Sequence, residues 1–346
     1  MSDEPVTFLP MGATIQSINV DGINIVQGFP TQSLYESHND PYFGETIGRV
    51  ANRIKNAQLD SVNGKVYPLA ANNAPNNLHG GVVGWGKKIW DGPKPVGFKD
   101  SFPGLPNNGT LTDGGESIKY SLVSQDGDEG FPGTVQANVI YTIGKQQENG
   151  KDVLVLAMEY EAELLDGAEE TVINMTNHSY FNMTGGPTIE GTKVTLCTNS
   201  YLPVDAGGIP TTLRAEAYPK VEGGKEFVLG ASEPDIDDCF VVNEQPHTIP
   251  IDTRGLPLTK LVSTYHPKSK IHLEVYSTEP AFQFYTGKYI NVPEVAGVPA
   301  RGARSGFCVE PSRYVNACNV DEWKNQMLLK KGEKYGCRIV YRAWND

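Results

Sequence analysis

The chain has 346 residues, among them 37 glycines, 24 prolines and 16 tyrosines, with a formal net charge of −12. That length admits one large domain or two ordinary ones, and the turn-rich composition with few apolar runs at helical spacing favours β structure. The acidic balance argues against binding nucleic acid through its phosphates or docking on an anionic membrane, and leaves neutral ligands open.

The first thirty residues, opening Met1-Ser2-Asp3-Glu4, hold neither a basic nor an apolar leader region. No apolar stretch approaches the roughly eighteen residues of a membrane helix, so no leader and no membrane partner is expected. The 5 cysteines are odd in number and lack CxxC spacing, which points to reduced thiols and a cytoplasmic protein. Residues 12–27 alternate around Asp21-Gly22 and predict a hairpin. Residues 45–57 mix helical spacing with Gly48 and a heavy polar load, predicting a short helical turn or an irregular loop. Asn63-Gly64 supplies a turn between two short strands, 57–59 and 66–69. Residues 70–92 read as a long functional loop, and 93–117, rich in Pro, Gly, Asn and Ser, as a surface insertion of low order.

From 118 onward strands dominate. Val135, Ala137, Val139, Tyr141 and Ile143 share one face, and Leu154, Leu156, Met158, Tyr160, Ala162 and Leu164 alternate with Glu159, Glu161 and Glu163, the pattern of half-buried antiparallel strands. Further strands are expected at 171–182, 192–199, 238–243, 270–277, 281–286, 305–310 and 335–343. A helix is expected at 321–330, where Trp323 and Met327 lie one turn apart. No repeat or composition break divides the chain. The expected fold is all-β, a single large antiparallel β-sandwich over residues 1–346 with few short helices.

The stretch Asn174-Met175-Thr176-Asn177-His178-Ser179-Tyr180-Phe181-Asn182-Met183 is dense in polar and aromatic side chains. Extended, it places Thr176, His178 and Tyr180 on one face, as the floor of a polar pocket, and Met175 and Phe181 on the other. Sequons at Asn108, Asn174, Asn177 and Asn182 mostly fall inside this stretch, where strand burial explains them better than glycosylation. Among the 6 histidines, His79 is flanked by Gly80 and Gly81, which let the backbone approach a ligand closely. His38, His247, His266 and His272 have uninformative neighbours. Gln283 lies between Phe282 and Phe284, Glu310 ends an apolar strand, and Asp237 opens Asp237-Asp238-Cys239-Phe240. No GxGxxG follows a strand, and neither a Walker loop nor a GxSxG elbow is present, so no dinucleotide or nucleotide cofactor is expected. His79 and His178 form no local HxH or HxxxH pair, and no metal centre is expected. A histidine with a carboxylate instead suits proton transfer between two oxygens.

Together these segments resemble the aldose 1-epimerase (galactose mutarotase) family. The matching runs are Phe43-Gly44-Glu45-Thr46-Ile47-Gly48-Arg49-Val50-Ala51-Asn52-Arg53-Ile54, Asn77-Leu78-His79-Gly80-Gly81, Asn177-His178-Ser179-Tyr180-Phe181-Asn182, Asp237-Asp238-Cys239-Phe240, Gln283-Phe284-Tyr285-Thr286-Gly287 and the strand ending at Glu310. Each is weak alone; all in the family's order are specific. The resemblance implies a large β-sandwich with a sugar cleft on a concave sheet, His178 as general acid and Glu310 as general base. It matches Arg53, His79, Asp237 and Gln283 to sugar-binding positions, with Asn52 and Tyr180 supporting.

It also implies a cofactor-independent isomerase acting on a small-molecule sugar, and a monomer or weak homodimer is expected. Three departures bear on sugar preference rather than reaction type. Asp238 stands where a histidine is common, Pro311-Ser312-Arg313-Tyr314-Val315-Asn316 follows Glu310 in a manner closer to fungal members, and 93–117 lacks a clear counterpart. Competing readings are a hexose-6-phosphate 1-epimerase, which would need added basic residues, a catalytically silent sugar-binding protein, and a glycan hydrolase or lyase. A retaining hydrolase needs two carboxylates flanking the bond, for which Glu310 and Asp237 are the available pair.

Overall fold

Alternation of apolar and polar side chains decides the architecture. In the computed structural model, which describes residues 4–346, strands Thr134–Glu148 and Lys151–Asp166 pair in antiparallel register. Their alternate residues Val135, Ala137, Val139, Tyr141, Leu156, Met158, Tyr160, Ala162 and Leu164 are buried on one face. These two strands sit within a 9-stranded antiparallel sheet. Its order from one edge is Glu226–Val228, Lys193–Leu196, Thr259–His266, Ile271–Ser277, Lys334–Asn345, Lys151–Asp166, Thr134–Glu148, Asp113–Ser124 and Asp91–Phe98.

A second, 6-stranded antiparallel sheet runs Tyr180–Phe181, Phe307–Ser312, Ala281–Tyr285, Asp237–Val241, Ser200–Tyr201 and Glu216–Ala217. Here Phe181, Phe240, Phe282, Phe284, Phe307 and Val309 join the same core as the large sheet's inner face. Two sheets with one apolar face each bury them against one another, which makes the sandwich. Their alternate residues are thereby committed to the opposite face, where the site lies.

The predicted hairpins form at Thr14–Val20 with Ile23–Asn24 and at Gln58–Val62 with Lys65–Pro68, where Asn63 and Gly64 both take positive φ. The short helical turn expected within 45–57 is present, while 321–330 and 93–117 depart from expectation. Residues 45–57 hold two short strands, Thr46–Ile47 and Arg53–Ile54, and a 3-10 turn, Lys55–Ala57. Segment 321–330 is a 3-10 turn, Lys324–Gln326, followed by strand Leu328–Lys330, although Trp323 and Met327 do share a buried cluster. A seven-residue helix, Gln32–His38, went unseen because it buries only Tyr35 and carries no apolar stripe.

Segment 93–117 is far more ordered than its composition suggests. Asp91–Phe98 is an exposed edge strand, where Pro93 and Pro95 are tolerated because an outer edge needs fewer backbone donors. Beyond it, Phe102 and Leu105 pack on Val155, Ala157, Tyr276 and Val340, the outward-facing residues of the large sheet. The segment therefore covers the side of the sandwich away from the site. Among the described residues no helix is long and apolar enough to cross a membrane.

Phe102 is 7 % exposed, so Phe102→Ala should lower stability by about 3–5 kcal/mol, read as a shift of the urea midpoint. The side chains facing the small sheet's cleft should keep their positions.

Candidate active site

Register on the small sheet assembles the cleft floor. Glu310, Gln283 and Cys239 lie opposite one another across three strands, and Tyr180, Cys308, Tyr285 and Asp237 form the neighbouring row across four. Opposed residues share a face, as do residues two apart along a strand, so both rows project away from the core. They meet a cavity of about 410 Å³ lined by Tyr42, Asn52, Arg53, His79, His178, Tyr180, Asp237, Gln283, Tyr285, Tyr289 and Glu310, among others. The residues given catalytic or sugar-binding roles, Asn52, Arg53, His79, His178, Tyr180, Asp237, Gln283 and Glu310, all lie in that lining.

His178 reaches the floor because the strand carrying it breaks. Strand Thr176–Asn177 pairs with Thr46–Ile47, and Tyr180–Phe181 pairs with Phe307–Ser312 in the other sheet. Between them Asn177 turns the chain: its Oδ1 accepts from the Ser179 N–H at 3.0 Å and the Ser179 hydroxyl at 2.6 Å, and its Nδ2 donates to the Gly44 carbonyl at 2.9 Å. The strand expected at 171–182 is thus three short pieces, the first being Glu170–Val172. Thr176 does not line the cavity, and its buried hydroxyl has no hydrogen-bond partner among the described residues. Met175 and Phe181 do enter the core. Asn174, Asn177 and Asn182 are buried and hydrogen-bonded, which accounts for those sequons.

The cleft's other wall comes from two loops that hold each other. Asn52 and His79 both adopt positive φ, at 61° and 51°. The His79 N–H donates to the Asn52 carbonyl at 3.1 Å, and the Asn52 N–H donates to His79 Nδ1 at 3.2 Å. Nδ1 is therefore an acceptor, which places the proton of neutral His79 on Nε2. Gly80 follows because a Cβ there would come within 2.1 Å of the Gly48 carbonyl oxygen. The close approach that glycine permits is to protein backbone, where the sequence suggested a ligand.

From Asn52 a hydrogen-bond chain crosses the floor. Asn52 Nδ2 donates to Gln283 Oε1 at 3.2 Å, and Gln283 Nε2 donates to Asp237 Oδ1 at 2.7 Å. Arg53 donates through Nε to Asn73 Oδ1 at 3.1 Å.

His178 Nε2 lies 3.5 Å from Glu310 Oε1, and both side chains are 5 % exposed. Burial, then the nearby Asp237 charge, pushes the Glu310 carboxyl up to about 8, against a smaller lowering by Arg53. Burial pushes His178 down to about 3, and burial with His178 beside it holds His79 well below the ordinary imidazole value. Near neutral pH the cleft therefore carries a protonated carboxyl against a neutral imidazole, a pair with one transferable proton.

The residues the sequence passed over are mainly the aromatic walls Tyr42, Tyr285 and Tyr289, which join the expected Tyr180. Tyr180 stacks on His178 with centroids 5.0 Å apart, and Tyr42 lies beside both histidines. Tyr285 and Cys308 were accessible to the two-residue period, being two positions from Gln283 and Glu310. Tyr42, in an irregular loop, offered no such signal. Asp238 lies outside the cavity lining, hydrogen-bonds Tyr218, and has its pKa raised chiefly by burial. The charge it adds is turned away from the floor. Pro311, Ser312, Arg313 and Tyr314 also lie outside that lining.

Donor atoms of His79, His178 and Glu310 lie within 4.8 Å of one another. An ion held at about 2.1 Å in a tetrahedral site keeps its ligands about 3.4 Å apart. The His178–Glu310 spacing matches that value, but the full set would have to contract around an ion. The arrangement suits exchange of a proton better.

The family profile described as aldose 1-epimerase matches residues 3–342. The chain belongs to this family. It is 35 % identical over 349 residues to the bifunctional protein gal10 of Schizosaccharomyces pombe, covering 99 % of this chain and 44 % of that one. It is 34 % identical to the galactose mutarotase of Sus scrofa, covering 95 % of this chain and 88 % of that one. Among solved structures, a GalM/aldose epimerase homologue from C. elegans superposes with a TM-score of 0.77 at 25 % identity, covering 98 % of this chain and 95 % of that chain. The chain spans under half the length of the bifunctional fungal relatives.

The Glu310 proton has a consequence for stability. An unfolded chain releases it near 4.5, whereas the folded chain holds it to about 8. Folding takes up a proton across that window, so stability falls as pH rises through it and the full penalty is present above about 8. At 1.36 kcal/mol per pH unit the penalty is about 5 kcal/mol. Glu310→Gln should match the wild type near pH 4 and exceed it in stability by about that amount above pH 8, read from urea midpoints.

Proposed function

We propose that this chain is an aldose 1-epimerase interconverting the α and β anomers of free aldohexoses such as glucose and galactose. The observation that carries the reading is the buried His178–Glu310 pair, 3.5 Å apart on the floor of a polar cavity.

Anomer exchange requires removal of the O1 proton, delivery of a proton to O5, and cleavage of the C1–O5 bond. The pair enters as Glu310 carboxylate and His178 imidazolium after an internal proton shift that leaves its net charge unchanged. Glu310 takes the O1 proton and His178 protonates O5. The open aldehyde rotates about C1–C2, and closure on the other face reverses both transfers. The pair ends as it began, so the cycle needs no external reagent. Asn52, Arg53, His79, Asp237 and Gln283 hold the hydroxyls, with Tyr180 beside them, in the donor and acceptor roles these side chains allow.

The cavity lining carries Arg53 as its cation beside Asp40, Asp237 and Glu310, a balance that favours a neutral sugar over a sugar phosphate. All 5 cysteines are free, which suits a reducing compartment such as the cytoplasm.

Polarimetry on freshly dissolved α-D-galactose and α-D-glucose should show accelerated mutarotation, with glucose 6-phosphate competing weakly. His178→Asn and Glu310→Gln should each lower kcat by about 10²–10⁴, the usual contribution of a proton-transfer group. Undiminished rates in both folded variants would sink the assignment. The pH profile gives a second check. With Glu310 titrating at about 8 in the free enzyme, kcat/KM should be level through neutral pH and decline above about 8, as the pair loses its proton.

A further inference from the structure

His178 has two ring nitrogens, and the mechanism uses one. While Nε2 faces Glu310, Nδ1 lies 3.6 Å from the Sγ of Cys308, within hydrogen-bonding range for sulfur. Among the described residues Cys308 is the one hydrogen-bond partner of that nitrogen from another side chain. Cys308 sits two positions before Glu310 on strand Phe307–Ser312 and shares its face, opposite Tyr180 on one neighbouring strand and Tyr285 on the other. It is 0 % exposed, and burial with the Glu310 charge keeps its thiol protonated, while the Tyr180 hydroxyl hydrogen-bonds the sulfur. The Tyr180 ring, stacked on the imidazole, closes one face of His178.

We propose that Cys308 is a positioning residue, whose thiol holds the His178 ring through Nδ1 in both of its protonation states. A thiol is a weak donor and a weak acceptor. Against the neutral ring its sulfur accepts Nδ1–H, which leaves the Nε2 lone pair facing Glu310 and the substrate, free to take up the transferable proton. Against the imidazolium it accepts the same Nδ1–H, and the ring need not turn. A carboxylate, a common partner of functional histidines, also fixes Nδ1–H, but its charge strongly favours the cation, whereas a neutral thiol accepts weakly. A carboxylate at 308 would also crowd Glu310 and Asp237 with another buried negative charge. Cys308 thus orients the ring with little bias on its charge, which a residue shuttling one proton with a close neighbour requires. No bond to sulfur forms or breaks.

This inference rests on reading His178 as a proton-transfer group, so its test includes a measurement independent of turnover. Nitrogen-15 NMR of the histidine rings, with the His178 signals assigned by their loss in His178→Asn, reports which nitrogen carries the proton. Wild type and Cys308→Ser should show neutral His178 chiefly as the Nδ1–H tautomer, and Cys308→Ala a mixture of tautomers. In polarimetry Cys308→Ala should lose about 10–100-fold in kcat with KM nearly unchanged, the usual effect of removing a supporting partner, and Cys308→Ser should recover most of it. Thermal melts establish folding first, and Cys308→Val takes the place of Cys308→Ala if the latter does not fold. Unchanged tautomers in the Ala or Val variant, or a Ser variant as impaired as Ala, would overturn the proposal. A wild type without epimerase activity would overturn the functional reading instead, and the ring spectra would still decide the role of Cys308.

Discussion

A carboxyl group removed from water on the exposed-face side of a β-sheet is the constraint that shapes this molecule. Glu310 ends up 4 % exposed because Tyr180 and Gln283 flank it on the floor while His79, His178 and Tyr42 close over it from loops. Desolvation alone would make such a group a neutral, inert acid. The imidazole 3.5 Å away gives the proton somewhere to go, while the Asp237 charge holds it more firmly on Glu310 until that charge is met. The resulting pair is useful only if both partners stay dry and fixed, which explains how much of the chain is spent on holding irregular segments still.

Those segments are held by side chains bonding to backbone rather than by long ladders. Asn177 turns the chain at His178, Asn52 and His79 exchange hydrogen bonds between their loops, and Asn72 accepts from the Leu78 N–H at 2.9 Å while donating to the Leu78 and Gly81 carbonyls. The Asn174 side chain does similar work further back, accepting from the Arg313 N–H at 3.0 Å just beyond the strand that carries Glu310. Asparagine suits these places because its amide both donates and accepts and its backbone tolerates positive φ. The density of asparagine around the matched segments therefore has a structural meaning as well as a chemical one.

This also explains which parts were legible in advance. The two-residue period of 135–143 and 154–164 was readable because those strands have one buried and one open face. The same rule placed Met175 and Phe181 in the core and His178 and Tyr180 over the cleft, even though the stretch is not one strand. Composition misled at 93–117, where proline and glycine signalled a loop and the chain formed an exposed edge strand with Phe102 tucked beneath the sheet. It misled again at 32–38, a helix that buries a single tyrosine. The convergence of His79 with His178 was invisible to spacing, since 98 intervening positions separate the two. Family resemblance placed them together before any local signal could.

The hydrogen-bond chain across the floor assigns its members different duties. Gln283 spends its carbonyl oxygen on Asn52 and one amide hydrogen on Asp237, so its orientation is set from both ends before any ligand arrives. Asp237 receives one bond at Oδ1 and keeps the rest of its acceptor capacity. Asn52 gives one amide hydrogen to Gln283, while its Oδ1 accepts from the Arg53 N–H at 2.9 Å. Gln283 is thus chiefly a strut that aims the Asp237 carboxylate, and Asp237 is the group with capacity left for hydroxyls. That carboxylate also raises the Glu310 pKa. A sugar hydroxyl donating to Asp237 would soften its field at Glu310, and the buried acid would then ionise more readily at the moment when a base is needed.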